Sequence, residues 1–425
     1  MARKTDQPTQ FRDPQRDETA LTRRGFLRAG AGFGALAMAG YSFNGKAHGG
    51  DTVQLPVPHN GTRRLLAYPQ KRPLLVLTSR PVQLETPFAI FNEGAFTPND
   101  AFFVRWHLAD VPTTIDPAAF KINVRGRVKQ SLVLSLNDLK TGYEPVEIAA
   151  VCQCSGNSRG LFKPAVPGGQ WANGAMGNAL WTGVRLRDVL KKAGLEADAI
   201  QVRFNGMDGP VLPGTPDYLK TLDVDVALSD DVIIAYAMNH EALPVLNGFP
   251  VRLVVPGWYA TYWVKMLNDI EVLNTTDTQF WTNPAYRIPA NACACVEPGQ
   301  KPDKTIPINR MNVRSFITSV GDGAEMKSGA THLVKGIAFD GGIGIQRVLF
   351  TTDSGKTWSE ASLGKDYGKY SFREWQVPFT PTAGQNYELT ALAVNLNGET
   401  QQFASRWNPS GYMRNVVEPV RIKGV

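Results

Sequence analysis

Two cysteines one residue apart, Cys152 and Cys154, stand in VCQCSGNSRGLF, residues 151–162, where Gly, Ser and Asn rule out an ordinary helix. Arg159 follows five residues after the second cysteine. A cation beside a thiol lowers its pKa, which makes thiolate available as a nucleophile or as a soft metal ligand. The chain has four cysteines, and Cys293 and Cys295 repeat the C-x-C spacing. A bridge across one residue closes a small strained ring, so bridges between the two pairs are the sterically easier disulfide arrangement. Neither C-x2-C zinc spacing nor a C-x-x-C-H heme attachment is present.

The elements that must position these residues form two blocks. FKINVRGRV and AFFVRWHL read as strands, and LVLSLNDL as a strand or the start of a short helix. WTGVRLRDVLKKAGL predicts a helix, with Val184, Leu186, Val189, Leu190 and Leu195 on one side and Gly194 near its end. VIIAYAM and FPVRLVVPG read as buried strands, and the Pro-rich stretch up to about residue 85 shows no periodicity. From about Pro307 the pattern is all strand: THLVKGIAFD, IQRVLFTTD, TWSEASL, YSFREWQVPF, YELTALAVN and TQQFASRWN, parted by turns such as DSGK and NLNGE. The expectation is an α+β fold, a mixed α/β domain ending near residue 300, followed by an antiparallel sandwich of immunoglobulin type.

At 425 residues the chain suits two domains, and 43% hydrophobic with 20% charged residues is ordinary globular composition. The formal charge of +7 is uneven: residues 1–50 hold eight Lys or Arg against four acids. No basic run interleaved with aromatics occurs, which argues against a nucleic-acid partner. The early surplus belongs to LTRRGFLRAGAGFGALAMAG, with Arg23 and Arg24 paired ahead of an apolar stretch too short to span a bilayer. It reads as a twin-arginine export signal, predicting a leader over 1–48 and delivery to the periplasm in folded form.

The cysteine segment, together with FFVRWHL before it and NGMDGP, LNGFPVRLVVPGWYATYWVK and NPAYRIP after it, resembles the sulfite oxidase family of molybdenum enzymes. The resemblance is nearest to its periplasmic bacterial sulfite dehydrogenases. It implies a molybdopterin-binding catalytic domain over 49–302 and a dimerisation domain over 303–425. It implies one molybdenum-molybdopterin per chain, with Cys154 as the thiolate ligand and Cys152 as a buried apolar neighbour. Arg105 and His107 match the substrate-side arginine and its histidine, within the cofactor-contacting run Phe103, Val104, Arg105, Trp106 and His107. Arg159 takes the second arginine position, where many relatives have two together and this chain has Ser158. Trp171 matches an aromatic that narrows the substrate pocket, and Tyr286 the tyrosine beside the metal. Asp208, Asn247, Arg252, Trp263, Val264 and Lys265 match positions that hold the pterin and its phosphate. Asn247 departs from the histidine common in vertebrate members. The implied activity is oxidation of sulfite to sulfate, with electrons passed singly to a separate c-type cytochrome, because this chain shows no heme motif of its own. A homodimer or a complex with a cytochrome subunit is the implied assembly. Sulfane dehydrogenases and oxide reductases on the same scaffold are the rival enzymes, and an exported binding protein without metal is the rival of another class.

Overall fold

A computed structural model describes residues 52–425; the proposed leader lies outside the described residues. The first described segment is a meander of short strands: Thr52–Gln54, Thr62–Leu66, Leu74–Ser79, Val82–Glu85 and Val104–Arg105, each paired with the next. The sequence shows no periodicity here because runs such as Leu74-Leu75 are buried side by side instead of alternating. FFVRWHL contributes only two strand residues. Leu84 pairs with Val104 and Gln83 with Arg105, so the last strand fixes Arg105 at the sheet margin.

Two larger sheets carry the site. One orders Lys220–Asp223, Gln201–Gly206, Leu267–Leu273, Lys121–Gly126 and Leu132–Ser135; its single parallel pairing joins Leu267–Leu273 to Lys121–Gly126. The other orders Glu241–Ala242, Ile233–Met238, Met176–Arg185 and Pro145–Gln153, with Arg252–Val254 added beside Ile233–Met238. The α-helices among the described residues are Leu136–Gly142, Leu186–Ala193 and Val224–Ala227, so this half is more nearly all-β than the expected α/β mixture.

The helix read from Trp181 begins only at Leu186. Trp181–Arg185 is the end of a ten-residue strand, where Trp181 pairs with Ile148 and Val184 with Pro145. Tertiary pairing overrides the apolar spacing there. Leu186, Val189, Leu190 and Ala193 are buried at helical spacing, and Gly194, at φ +70°, closes the helix by donating to Leu190 O and Lys191 O.

Beyond residue 305 two antiparallel-rich sheets face each other. Arg314–Ile317, His332–Phe339, Arg373–Phe379 and Ser362–Leu363 form one. Ala324–Met326, Val420–Gly424, Asn386–Asn395, Ile345–Thr351 and Ser359–Glu360 form the other. Val334, Ala338, Trp375 and Val377 from the first meet Val348, Phe350, Leu389, Ala391 and Ile422 from the second in one core. TQQFASRWN forms no named strand. It begins a loop that runs back over the first half, where Trp407 Nε1 donates to Pro164 O at 3.0 Å and Met413 N to Ser155 O at 3.2 Å. Phe316, Ile337, Phe339 and Phe372 join the core of the first half, so the two blocks share packing.

Candidate active site

Strand Pro145–Gln153 stops one residue before Cys154, whose N–H donates to Ala175 O at 2.9 Å. The chain then turns: Asn157 N donates to Cys154 O at 2.9 Å, and the Asn157 side chain accepts from Ala175 N at 3.0 Å. Gly156 leaves room in this turn for a returning side chain. A Cβ there would lie 2.6 Å from the Arg159 guanidinium, which folds back across it. The turn presents Cys154 as a free thiol, 8% exposed, facing a cavity.

Phe103, Arg105, His107, Cys152, Asn247 and Arg252 line that cavity with Cys154, and so do Trp263, Lys265 and Tyr286. The sequence-expected residues are thus gathered from strands and loops spread from Phe103 to Tyr286. Val104, Trp106 and Val264 are buried behind the lining, and Asp208 stands close enough to Lys265 and Arg105 to interact with both.

Charge dominates the pocket. Burial works against the Arg105 cation, but the Tyr286 phenol and Cys154 thiol beside it leave its pKa above the ordinary value. Arg252 lies between the rings of Trp181 and Trp263, at 5.1 and 5.7 Å, and donates to Asn247 O and Trp263 O. Lys265 donates to Arg105 O at 2.8 Å and sits 4.3 Å over the Trp106 ring. Burial and the Arg252 charge pull its pKa down to about 7, against the opposing pull of Asp208. Burial lifts the Asp208 carboxyl to about 6, with Lys265 pulling the other way.

His107 is stacked on Tyr218, with centroids 3.7 Å apart, and its Nε2 meets the Tyr286 hydroxyl. Burial first, then Arg105, Lys265 and Lys220, push its pKa well below the usual value, while burial raises that of Tyr286. The imidazole is therefore neutral and the phenol protonated, and which of the two donates in the Nε2–hydroxyl contact is set by the imidazole tautomer. Tyr286 itself holds φ +55°, a left-handed conformation that its surroundings must support.

Two expected residues are placed elsewhere. Arg159 does not line the cavity: its Nε donates to Ser410 O at 3.1 Å, its Nη1 to Gly169 O at 3.3 Å, and its guanidinium lies 5.1 Å from the Tyr412 ring. Trp171 is a core side chain, 1% exposed, turned back toward Gly169, so it does not narrow this cavity. The disulfide reading is also corrected, since Cys293 and Cys295 are bridged to each other with Cα atoms 5.1 Å apart. Ala294 adopts φ +48°, and the Asn291 side chain clasps Cys295 from both sides of its backbone, which folds the turn tightly enough for the short bridge.

Sequence reasoning missed Lys71, Tyr218, Lys220 and Tyr412. Lys71 donates to Phe102 O at 3.1 Å and to the Asn247 side chain, with burial bringing its pKa to about 7. Lys220 donates to Trp281 O at 2.7 Å and sits over the rings of Tyr262 and Tyr286. Tyr412 stacks on Tyr286. None lies in a run that the spacing of charged or apolar residues marks out.

Residues 107–281 match the family described as oxidoreductase molybdopterin binding domain, and residues 305–424 the Mo-co oxidoreductase dimerisation domain. Sulfite oxidase of Gallus gallus is 32% identical over 361 residues, covering 81% of this chain and 77% of that one. The chain belongs to the sulfite oxidase family of molybdenum enzymes. Mitochondrial sulfite oxidase of Rattus norvegicus is 33% identical over 375 residues, 84% of this chain and 67% of that protein. Nitrate reductase [NAD(P)H] of Hordeum vulgare is 31% identical over 385 residues, with 84% and 42% covered. The sulfane dehydrogenase SoxCD from Paracoccus pantotrophus has the same fold, at a TM-score of 0.69 and 23% identity over 81% of this chain and 85% of that one.

The residues fit the family's cofactor. Among the described residues no three His, Cys, Asp or Glu side chains cluster to hold a metal by themselves. One free thiol suits a metal whose other ligands come from an organic dithiolene. His107 Nδ1, Ser155 Oγ and Arg252 Nε are buried at the cavity without hydrogen-bond partners, which leaves polar capacity for a bound group. Arg252 and Lys265 are cations of the kind that would answer a phosphate, and Cys154 is a free sulfur that would serve as ligand.

Proposed function

We propose that this chain oxidises sulfite to sulfate and passes the electrons, one at a time, to a separate c-type cytochrome. The observation that carries the reading is the cavity itself, where a free cysteine faces Arg105 and a hydrogen-bonded His107–Tyr286 pair. When bound, molybdenum-molybdopterin supplies oxygen-atom transfer to sulfur and a store for two electrons. Cys154 would ligate the metal. Lys265, Arg252 and Asn247 would hold the pterin and its phosphate, with Lys71 fixing the Asn247 amide. Arg105 draws the sulfite anion into a partly dehydrated pocket and orients it. Tyr286, kept protonated by burial, has a hydroxyl to offer an approaching oxygen, and neutral His107 beside it holds that hydroxyl in place through Nε2.

The twin-arginine pattern supports a periplasmic site of action, and the match to a dimerisation domain supports a homodimer. No helix among the described residues is long and apolar enough to cross a membrane. The test is sulfite-dependent reduction of cytochrome c by purified enzyme with one molybdenum per chain, compared with oxygen as acceptor and with nitrate in place of sulfite. Reduction of cytochrome c by sulfite alone is the expected result. Nitrate turnover without sulfite turnover would refute the substrate assignment.

A further inference from the structure

The rings of Tyr286 and Tyr412 lie face to face, with centroids 5.4 Å apart and planes 9° from parallel. Tyr286 lines the cavity described above, and Tyr412 lines a second cavity. A stacked pair of aromatic rings therefore bridges the two. Cys293 and Ala294 of the bridged turn wall the second cavity on one side.

Its polar lining is Asn312, Gln402, Asn408, Asn415, Arg406 and Arg414, and it contains no carboxylate. Arg406 is exposed and has no ion-pair partner among the described residues. The Arg414 side chain is only 9% exposed; one Nη meets Glu418, but its buried Nε has no hydrogen-bond partner. Glu418 also serves Arg314 at 3.3 Å, so one carboxylate answers two guanidiniums and the group keeps a net positive charge. Asn312 and Asn408 each spend an amide N–H on a backbone carbonyl, of Met413 and Tyr412, which leaves each a second N–H to give. A buried guanidinium N–H without an acceptor is costly, and what answers it is an anion with several acceptor oxygens.

We propose that this cavity is a second oxyanion site, which takes a sulfur oxyanion, sulfate or sulfite, one aromatic pair away from the catalytic cavity. The choice of sulfur oxyanion rests on the function proposed above; the surplus of donors does not. Tyr412 also lies under the Arg159 guanidinium, so an anion against its ring acts on the packing of Tyr286. Sulfate held there lowers turnover without competing for the sulfite pocket.

Calorimetric titration of the loaded enzyme, reduced beforehand with dithionite, freed of dithionite and its products, and kept without electron acceptor at constant ionic strength, tests this with sulfate and sulfite in separate arms. Two sites are expected in the wild type. Arg406→Gln and Asn312→Leu each weaken one of them roughly ten- to a hundredfold, as expected for a lost hydrogen bond to a charged group. Arg105→Gln weakens the other. The arm in which Arg406→Gln costs more affinity identifies the preferred ion. In turnover, sulfate lowers kcat of the wild type and not of Arg406→Gln, which in sulfate-free buffer matches the wild type. A single site, weakened by Arg105→Gln and untouched by the other two substitutions, overturns the proposal. Because binding is read without catalysis, an enzyme that binds two sulfates yet fails to oxidise sulfite refutes the function and leaves the site standing.

Discussion

Replacing Arg105 by Gln tests the electrostatic reading of the cavity. Gln keeps a polar group of similar reach and removes one cation from a set in which Lys265, with a pKa near 7, is charged only in part at neutral pH. Arg105 and Arg252 are thus the dependable charges. Two unit charges at about 4 Å attract by about 4 kcal/mol at the effective dielectric of a protein surface. Part of that is offset by desolvation, and charge-assisted hydrogen bonds retain about 1.5–3 kcal/mol. The Michaelis constant for sulfite should therefore rise roughly ten- to a hundredfold. A second consequence concerns pH. Arg105 is a principal charge holding the His107 pKa down, so its removal lets that pKa climb back toward the ordinary value. Protonated His107 can no longer accept a hydrogen bond from Tyr286 and adds a charge beside it, so the acid limb of the kcat profile should move to higher pH. The assay is steady-state cytochrome c reduction between pH 5 and 9, at low and raised ionic strength. Salt should weaken sulfite capture by the wild type more than by the variant. An unchanged Michaelis constant at low salt together with an unmoved acid limb would refute the reasoning, and would make Arg105 a structural partner of Trp106 O alone.

Cys154→Ser should fold and dimerise but lose sulfite oxidation, whereas Cys152→Ser, which removes a thiol that burial pushes up to about 11, should stay close to wild type; metal analysis and turnover of both variants check this. Lys220→Met should show a pH-dependent gain in stability. Burial lowers the Lys220 pKa from 10.5 to about 7, so the unfolded chain binds the extra proton between those values and the penalty is relieved as pH rises. The variant should gain more in melting temperature over the wild type at pH 6 than at pH 10, and an equal difference at both would contradict the assignment. Arg23→Lys combined with Arg24→Lys should leave the precursor in the cytoplasm, and normal arrival of that double variant in the periplasm would exclude a twin-arginine leader.

The site was more legible in the sequence than the elements that carry it. Motif residues announce themselves by type: a cysteine in a Gly-Ser-Asn turn, an arginine between aromatics, a tyrosine after Asn-Pro. The strands are harder to read. Leu74 and Leu75 are both fully or almost fully buried, and Trp181 to Val184 combine β-branched and aromatic residues with an apolar spacing that also suits a helix. In each case pairing with a distant strand decides, and such pairing leaves no local mark.

Arg159 shows most clearly what residue type cannot convey. Its place after the cysteine made it a candidate for direct contact with substrate, and its charge is indeed among those acting on Tyr286. Yet its guanidinium is occupied by Ser410 O and Gly169 O and lies against Tyr412. Ser410 and Tyr412 come from the loop before Val420–Gly424, just beyond the TQQFASRWN run that reads as a strand of a separate domain. The chain thus ties its cysteine turn to its last loop through one buried cation. Removing that cation should loosen Tyr412 from Tyr286 before it touches substrate binding. Arg159→Met, which keeps most of the apolar packing and deletes the charge and its donors, should accordingly lower kcat more than it raises the Michaelis constant for sulfite. The opposite split, a raised Michaelis constant at unchanged kcat, would put Arg159 back among the residues that touch the anion.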